Sequence, residues 1–304
     1  MTTLLLAERP FGEMLSRATM TEALRGVPHE PPFLLASHSS HPRPGFQPVA
    51  PGDVPEGVTQ VVLAGAFQKR QSLEQALATA AKAVAAGARL LLHNLTLASH
   101  AGRRAPPLGV GVLDSARSIA VRDHRTADTL MLWRVAGTIR ILGFPERHLP
   151  ADASLTASLP EEPVLGVAIE ALPAWQAHLP AIRRLEPLHR GWPVLPLPVA
   201  LPGGPEDDLP ALRQIPPPDT RVLLPELGDP VFWRGRLTPA RLKGLVARCA
   251  MVVTNRDLVA SLAVASGVPV LGVALGTDRR IGSCLATLAN ELPPGSALLR
   301  LAAE

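Results

Sequence analysis

The chain has 304 residues, with 47% hydrophobic and 18% charged residues, enough for two domains with real cores. The formal charge of +4 and the pI near 9.8 come from dispersed arginines, with Lys only at 69, 82 and 243 and an aromatic content of 3%. That pattern argues against nucleic acid, which needs clustered cations and stacking platforms, and leaves small anionic substrates open. No apolar run reaches a membrane span. The start, Met1 to Pro10, lacks the basic flank and long apolar run of a signal peptide. Cys249 and Cys284 are the only cysteines; they offer neither a disulfide framework nor a metal cluster, so the expectation is a cytoplasmic protein without a metal or cofactor.

In chain order, Leu4–Ala7 reads as a first strand, Glu13–Arg25 as a helix and Phe33–Ser37 as a second strand. Residues 38–57 are rich in Pro, Gly and His and read as a loop; His38 and His41 in it read as polar loop surface. Val61–Leu63 is a strand. Ser72–Ala86 is an Ala-rich helix with Ser72 as its cap and Gly87 as its stop. Arg89–His93 and Ser118–Val121 are strands, Arg122 opens a helix to about Val135, and Thr138–Leu142 is a short strand. Leu155–Pro163 reads as a linker. The alternation then restarts: strand Val164–Ile169, helix Ala174–His189 broken at Pro180, strand Val194–Leu197, short helix Asp207–Gln214 and strand Arg221–Leu224. Thr238 followed by Pro239 starts a helix to Arg248.

Residues 251–273 form the unit on which the rest is organised. A buried strand ends at Val253, and the polar turn Thr254-Asn255-Arg256-Asp257 leads into a small-residue helix. Gly267 closes that helix, Pro269 forbids its continuation, and a second buried strand runs to Val273. The turn lies at a strand's carboxyl end and a helix N-terminus, where open α/β sheets bind ligands and N–H groups favour anions. Arg256 is a fixed cation in it. Ile281–Asn290 is a last helix and Ala297–Leu301 a final strand. Strands alternating with helices imply parallel sheets. The expected fold is α/β, with two Rossmann-like domains facing a cleft: an N-terminal acceptor-side domain over 1–156 and a C-terminal donor-side domain over 160–304.

The order of elements resembles the polysaccharide pyruvyl transferases, two-domain enzymes of glycosyltransferase-B-like architecture. The resemblance rests first on Leu237-Thr238-Pro239, Val252-Val253, Arg256, Ala263, Gly267 and Pro269, at the family spacing without a gap. Ile119-Ala120-Val121-Arg122-Asp123 looks like its Ser-Val-Arg-Asp segment, and Pro150-Ala151-Asp152 like its Pro-Asp-Pro segment. It implies transfer of pyruvate from phosphoenolpyruvate to a glycan or lipid-linked sugar of a cell-surface polysaccharide, with peripheral membrane contact compatible.

On that resemblance Arg256 is the donor-binding arginine, with Thr254 and Asn255 as neutral donors and Arg279 or Arg280 as a clamp on the second anionic group. The departures are definite. Ala7 to Glu13 lacks the family's Gly-Asn-x-Gly-Asp loop, and His93-Asn94-Leu95-Thr96-Leu97 stands for Gln-Gly-x-Gly-Pro. Leu258 replaces the family histidine, and an arginine of the second half is replaced around Glu170. Asp257, His93 and Glu8, each at a strand end, are the candidates for the acid–base work. The alternatives are a nucleotide-sugar glycosyltransferase of the same architecture and a catalytically silent relative in polysaccharide assembly.

Overall fold

The computed structural model describes residues 2–7, 33–37, 46–67, 69–97, 104–170, 175–200, 207–276, 280–293, 296 and 298–302. The expected helix Glu13–Arg25, the acid–base candidate Glu8, the loop histidines His38 and His41 and the clamp candidate Arg279 lie outside these residues. The chain divides into two compact units, Met1–Pro145 and Glu146–Glu304.

The first unit is built on a seven-stranded parallel sheet in the order β3-β2-β1-β4-β5-β6-β7. Its strands are β1 (Thr2–Ala7), β2 (Phe33–Ser37), β3 (Phe46–Val49), β4 (Val58–Phe67), β5 (Arg89–Leu97), β6 (Ser118–Val121) and β7 (Ile139–Ile141). Leu4, Leu5 and Leu6 are successive and all buried. Such a continuous apolar run, in place of alternation, belongs to a parallel strand covered on both faces, and each buried leucine contributes about 1.5–3 kcal/mol. Among the described residues the helices that accompany the sheet are α1 (Arg70–Ala85), α2 (Gly109–Asp114) and α3 (His124–Leu132). α1 lays Leu73, Leu77 and Ala80 into the core.

Two expectations change here. The stretch expected as loop over 38–57 contains β3, paired in parallel with β2 from Phe33–Phe46 onward. Pro48 obscured it, since proline donates no ladder bond; β3 is the sheet's edge strand, where proline is tolerated. Ser72 is not the cap of α1: the helix begins two residues earlier and Ser72 is buried in its first turn. The stop at Gly87 holds, with φ +94 and Ala88 N–H bonding the Ala83 carbonyl at 2.9 Å.

The second unit carries a five-stranded parallel sheet in the order β12-β11-β10-β8-β9. These strands are β8 (Leu165–Ala168), β9 (Val194–Pro196), β10 (Met251–Thr254), β11 (Val270–Val273) and β12 (Leu299–Ala302). Its helices are α4 (Trp175–Arg183), α5 (Leu209–Gln214), α6 (Pro230–Arg236), α7 (Pro239–Arg248), α8 (Asp257–Ala265) and α9 (Arg280–Ala289). Thr238 caps α7 as expected, its hydroxyl accepting Arg241 N–H at 3.2 Å. Gly267 ends α8 with φ +72, and Val268 N–H bonds the Ala263 carbonyl at 2.9 Å. Residues 221–224, expected as a strand, make only a bridge between Val222 and Val194.

Residues 146–160 are fastened to α7. Buried Lys243 donates to the carbonyls of Arg147 and Leu149 at 2.5 and 2.6 Å, and Arg248 donates to that of Pro160. Gly244 lies so near the Asp152 carbonyl that a β-carbon would overlap it. The division expected at 156–160 therefore lies downstream of the boundary between the units. Both strand orders are doubly wound and Rossmann-like.

Candidate functional site

In the second sheet the chain leaves β8 toward β9 on one side and comes back to β10 on the other. The carboxyl ends of β8 and β10 therefore flank the switch point at which such sheets take ligands. Thr254 is the last residue of β10. Its hydroxyl donates to the Ala168 carbonyl at 2.7 Å and accepts the Arg256 N–H at 2.9 Å, which turns the chain. Asn255 ties the two strand ends: its N–H bonds the Ala168 carbonyl at 3.3 Å and its Oδ1 accepts the Glu170 N–H at 2.7 Å. Its Nδ2 is buried and has no partner. Thr254 and Asn255 thus build the turn, and the two N–H donors of the Asn255 side chain are left over.

Arg256 is the N-cap of α8, with extended backbone and no side-chain cap. Its guanidinium pairs with Asp208, and its Nη1 lies 3.4 Å from Glu170 Oε1. Its Nε is buried and unbonded. The pairing partner is thus not Asp257, the next residue in sequence; Asp257 opens α8, and its carbonyl accepts from the Cys284 thiol at 3.9 Å. An acidic residue in that first turn favours the helix dipole.

Asp208 precedes α5. Its Oδ2 accepts the N–H groups of Val199 and Ala200 at 3.2 and 3.3 Å. Burial pushes its carboxyl above the usual 3.8, and the charge and hydrogen bond of Arg256 oppose the rise. Arg280, the first residue of α9, donates to Glu170 Oε2 at 2.6 Å. The exposures of the four side chains are 12% for Arg256, 1% for Asp208, 9% for Glu170 and 22% for Arg280. Among the described residues, the two cations and two anions of this cluster sum to zero.

Of the residues expected at the site, Thr254, Asn255, Arg256 and Arg280 come together at this turn, and Asp257 starts the helix beside it. Glu170 and Asp208 had not been read as site residues. Their only signal was an acidic residue just past an apolar strand and an Asp pair opening a helix. What joins them to Arg256 is the strand order, which local sequence does not display.

His93 is in the other unit, on β5 opposite Ala120 and 9% exposed. The next residue, Asn94, forms a bulge: β5 slips register there against both neighbours. Asn94 has φ +54, is fully buried, and neither atom of its amide has a partner. Beyond it Asp123 caps α3, accepting Thr126 N–H at 2.8 Å and the Thr96 hydroxyl at 3.3 Å. The Arg122 guanidinium lies 4.6 Å over the Phe144 ring. Asp123 thus shapes this strand-to-helix turn, and Arg122 stacks on Phe144 beside it.

Among the described residues no group of three His, Cys, Asp or Glu is placed to hold a metal. The Cys249 thiol is pushed up to about 12 by burial, which makes it inert. Among the described residues no helix is long and apolar enough to cross a membrane.

The sequence matches no known protein family and no curated protein. Among solved structures, the chain is similar to a protein described as a UDP-N-acetylglucosamine 2-epimerase from Listeria monocytogenes. The two share 13% identity with a TM-score of 0.52, over 95% of this chain and 88% of that one. Spinosyn forosaminyltransferase SpnP also aligns, at 16% identity and TM-score 0.48, over 97% of this chain and 86% of that one. The fold is the glycosyltransferase-B-like pair of Rossmann-like units.

Proposed function

We propose that the protein is a sugar-modifying enzyme that seats the anionic group of its donor substrate at the Arg256 turn. One observation carries the reading. Two arginines, each at the start of a helix, converge at the switch point of the second sheet, beside a buried amide donor on Asn255 that has no acceptor. Planar guanidinium groups match phosphate or carboxylate bidentately, and helix N-termini reinforce the same sign.

The donor that the 237–273 resemblance implies is phosphoenolpyruvate, with a glycan or lipid-linked sugar as pyruvyl acceptor. Its two anionic groups suit two guanidinium groups. In the second unit the acid–base candidate is Asp257, which opens α8 next to Arg256. A second reading is a nucleotide-sugar enzyme, and it is favoured by the likeness of fold to the epimerase.

Thermal-shift titration of wild type and Arg256→Ala with phosphoenolpyruvate, and separately with UDP, separates the two. A ligand at a hundredfold excess over its Kd stabilises the native state by about 2.7 kcal/mol. The pyruvyl reading expects a shift with phosphoenolpyruvate that vanishes in the variant. A shift with UDP alone moves the donor to a nucleotide sugar. No shift with either removes both readings and leaves a silent relative.

A further inference from the structure

The four-charge cluster has a feature that donor binding alone does not require. Glu170 sits between the two arginines, with one oxygen 3.4 Å from Arg256 and the other 2.6 Å from Arg280. Its side chain is 9% exposed, and its backbone N–H is held by Asn255 Oδ1. A carboxylate bridging two guanidinium groups at two helix starts has the charge and geometry of an anionic ligand group in the same seat.

We propose that Glu170 is a built-in stand-in for that ligand group: its carboxylate fills the anion seat between Arg256 and Arg280 and must be displaced for an anion to bind. The two carboxylates of the cluster are unequal in a way that singles out Glu170 as the one that moves. Asp208 is 1% exposed and braced by two backbone N–H groups as well as by Arg256. Releasing it would strand a buried charge. Glu170 is more exposed, and it has the longer contact with Arg256. Swinging it outward leaves Arg256 paired with Asp208 and gives its place to the incoming group. The seat then carries net positive charge only while Glu170 is out. An anion that contacts both arginines, as the Glu170 carboxylate does, binds more tightly than one that contacts either alone.

The inference rests on the donor reading above, and inorganic pyrophosphate tests it apart from that reading. Calorimetric titration of the full chain compares wild type, Glu170→Gln and Glu170→Asp. Loss of one negative charge beside the seat raises pyrophosphate affinity about tenfold in Glu170→Gln. Glu170→Asp keeps the net charge, and hence the balance of the buried cluster, but draws the carboxylate back by one methylene. It shows a smaller rise, and it serves if the Gln variant does not fold. Adding Arg280→Ala to either variant abolishes the gain. Unchanged or weaker pyrophosphate binding in the folded Glu170 variants overturns the proposal and makes Glu170 a ligand contact or a structural pair. Tighter pyrophosphate binding with no response to phosphoenolpyruvate or UDP sustains the stand-in and sinks the donor reading instead.

Discussion

The two sheets end in opposite ways. At the carboxyl end of the second sheet, Arg256, Asp208, Glu170 and Arg280 place four charges in a protected cluster, and each has an opposite charge to meet. Near the carboxyl end of β5 in the first sheet the group under burial is neutral. Asn94 holds a left-handed backbone and a buried amide with neither atom bonded. Charge in an interior is kept only if it is paired. A neutral amide is small enough to be left unsatisfied, at a cost of about 1–3 kcal/mol per group. The first arrangement is stable until one partner is removed; the second is already under load.

The largest effect expected from breaking this contrast is at Asp208. Asp208→Ala removes the anchored partner of Arg256 and leaves a guanidinium that is 12% exposed with only the longer contact to Glu170. Loss of one member of a buried pair costs about 3–5 kcal/mol, read as a lower urea midpoint with an unchanged slope. Asp208→Ala combined with Arg256→Met recovers a good part of it. A loss below about 1 kcal/mol in the single variant would mean that the cluster is wet and the contrast between the sheets is overdrawn.

Much of this architecture was legible beforehand. Apolar runs bounded by Gly and Pro located nearly every parallel strand, and the cap at Thr238 and the stop at Gly267 stand as expected. The turn 254–257 was legible because its chemistry is local: a strand end, a helix start and an arginine. Glu170 and Asp208 were not. They lie 86 and 48 residues from Arg256 in sequence, and the order β10-β8-β9 is what brings them there. β3 and α6 were missed because proline interrupts or opens them. Asn94 gave no signal at all, since a buried amide in a bulge has no pattern of its own.

The pH response sharpens the contrast further. Burial raises the Asp208 carboxyl above its usual 3.8 despite Arg256. The folded protein therefore binds this proton more tightly than the unfolded chain. The group's contribution to stability is full below 3.8 and is lost as pH climbs through the folded value. The difference in unfolding free energy between wild type and Asp208→Asn should fall as pH rises across that window, by at most about 1.4 kcal/mol per pH unit for one proton. A difference that grows with pH would mean that Arg256 outweighs burial. Asp152 serves as the opposite case at an exposed position: hydrogen bonds from Ser154, with help from Arg241, hold its carboxyl below the ordinary value. Its contribution is present above 3.8 and is lost as pH falls through the lowered value.

In the first unit the effects are smaller. Asp123→Ala removes the α3 cap and should cost about 1–2 kcal/mol in the same urea assay. A loss near zero would show that water replaces the cap without penalty.

The smallest effect has the reverse sign. Asn94→Gly puts the residue that tolerates φ > 0 at a position with φ +54, and it removes two buried polar atoms that have no partners. Against this stand the packing lost with the side chain and the greater backbone freedom of glycine when unfolded. The balance should favour the variant by about 0.5–1 kcal/mol. Most glycine substitutions in a strand destabilise it, so a gain here would isolate the strain at this bulge from any general effect. A loss of stability would mean that a water molecule bonds the amide in solution. Asn94 would then be a satisfied core residue, and the two sheet ends would differ in charge but not in load.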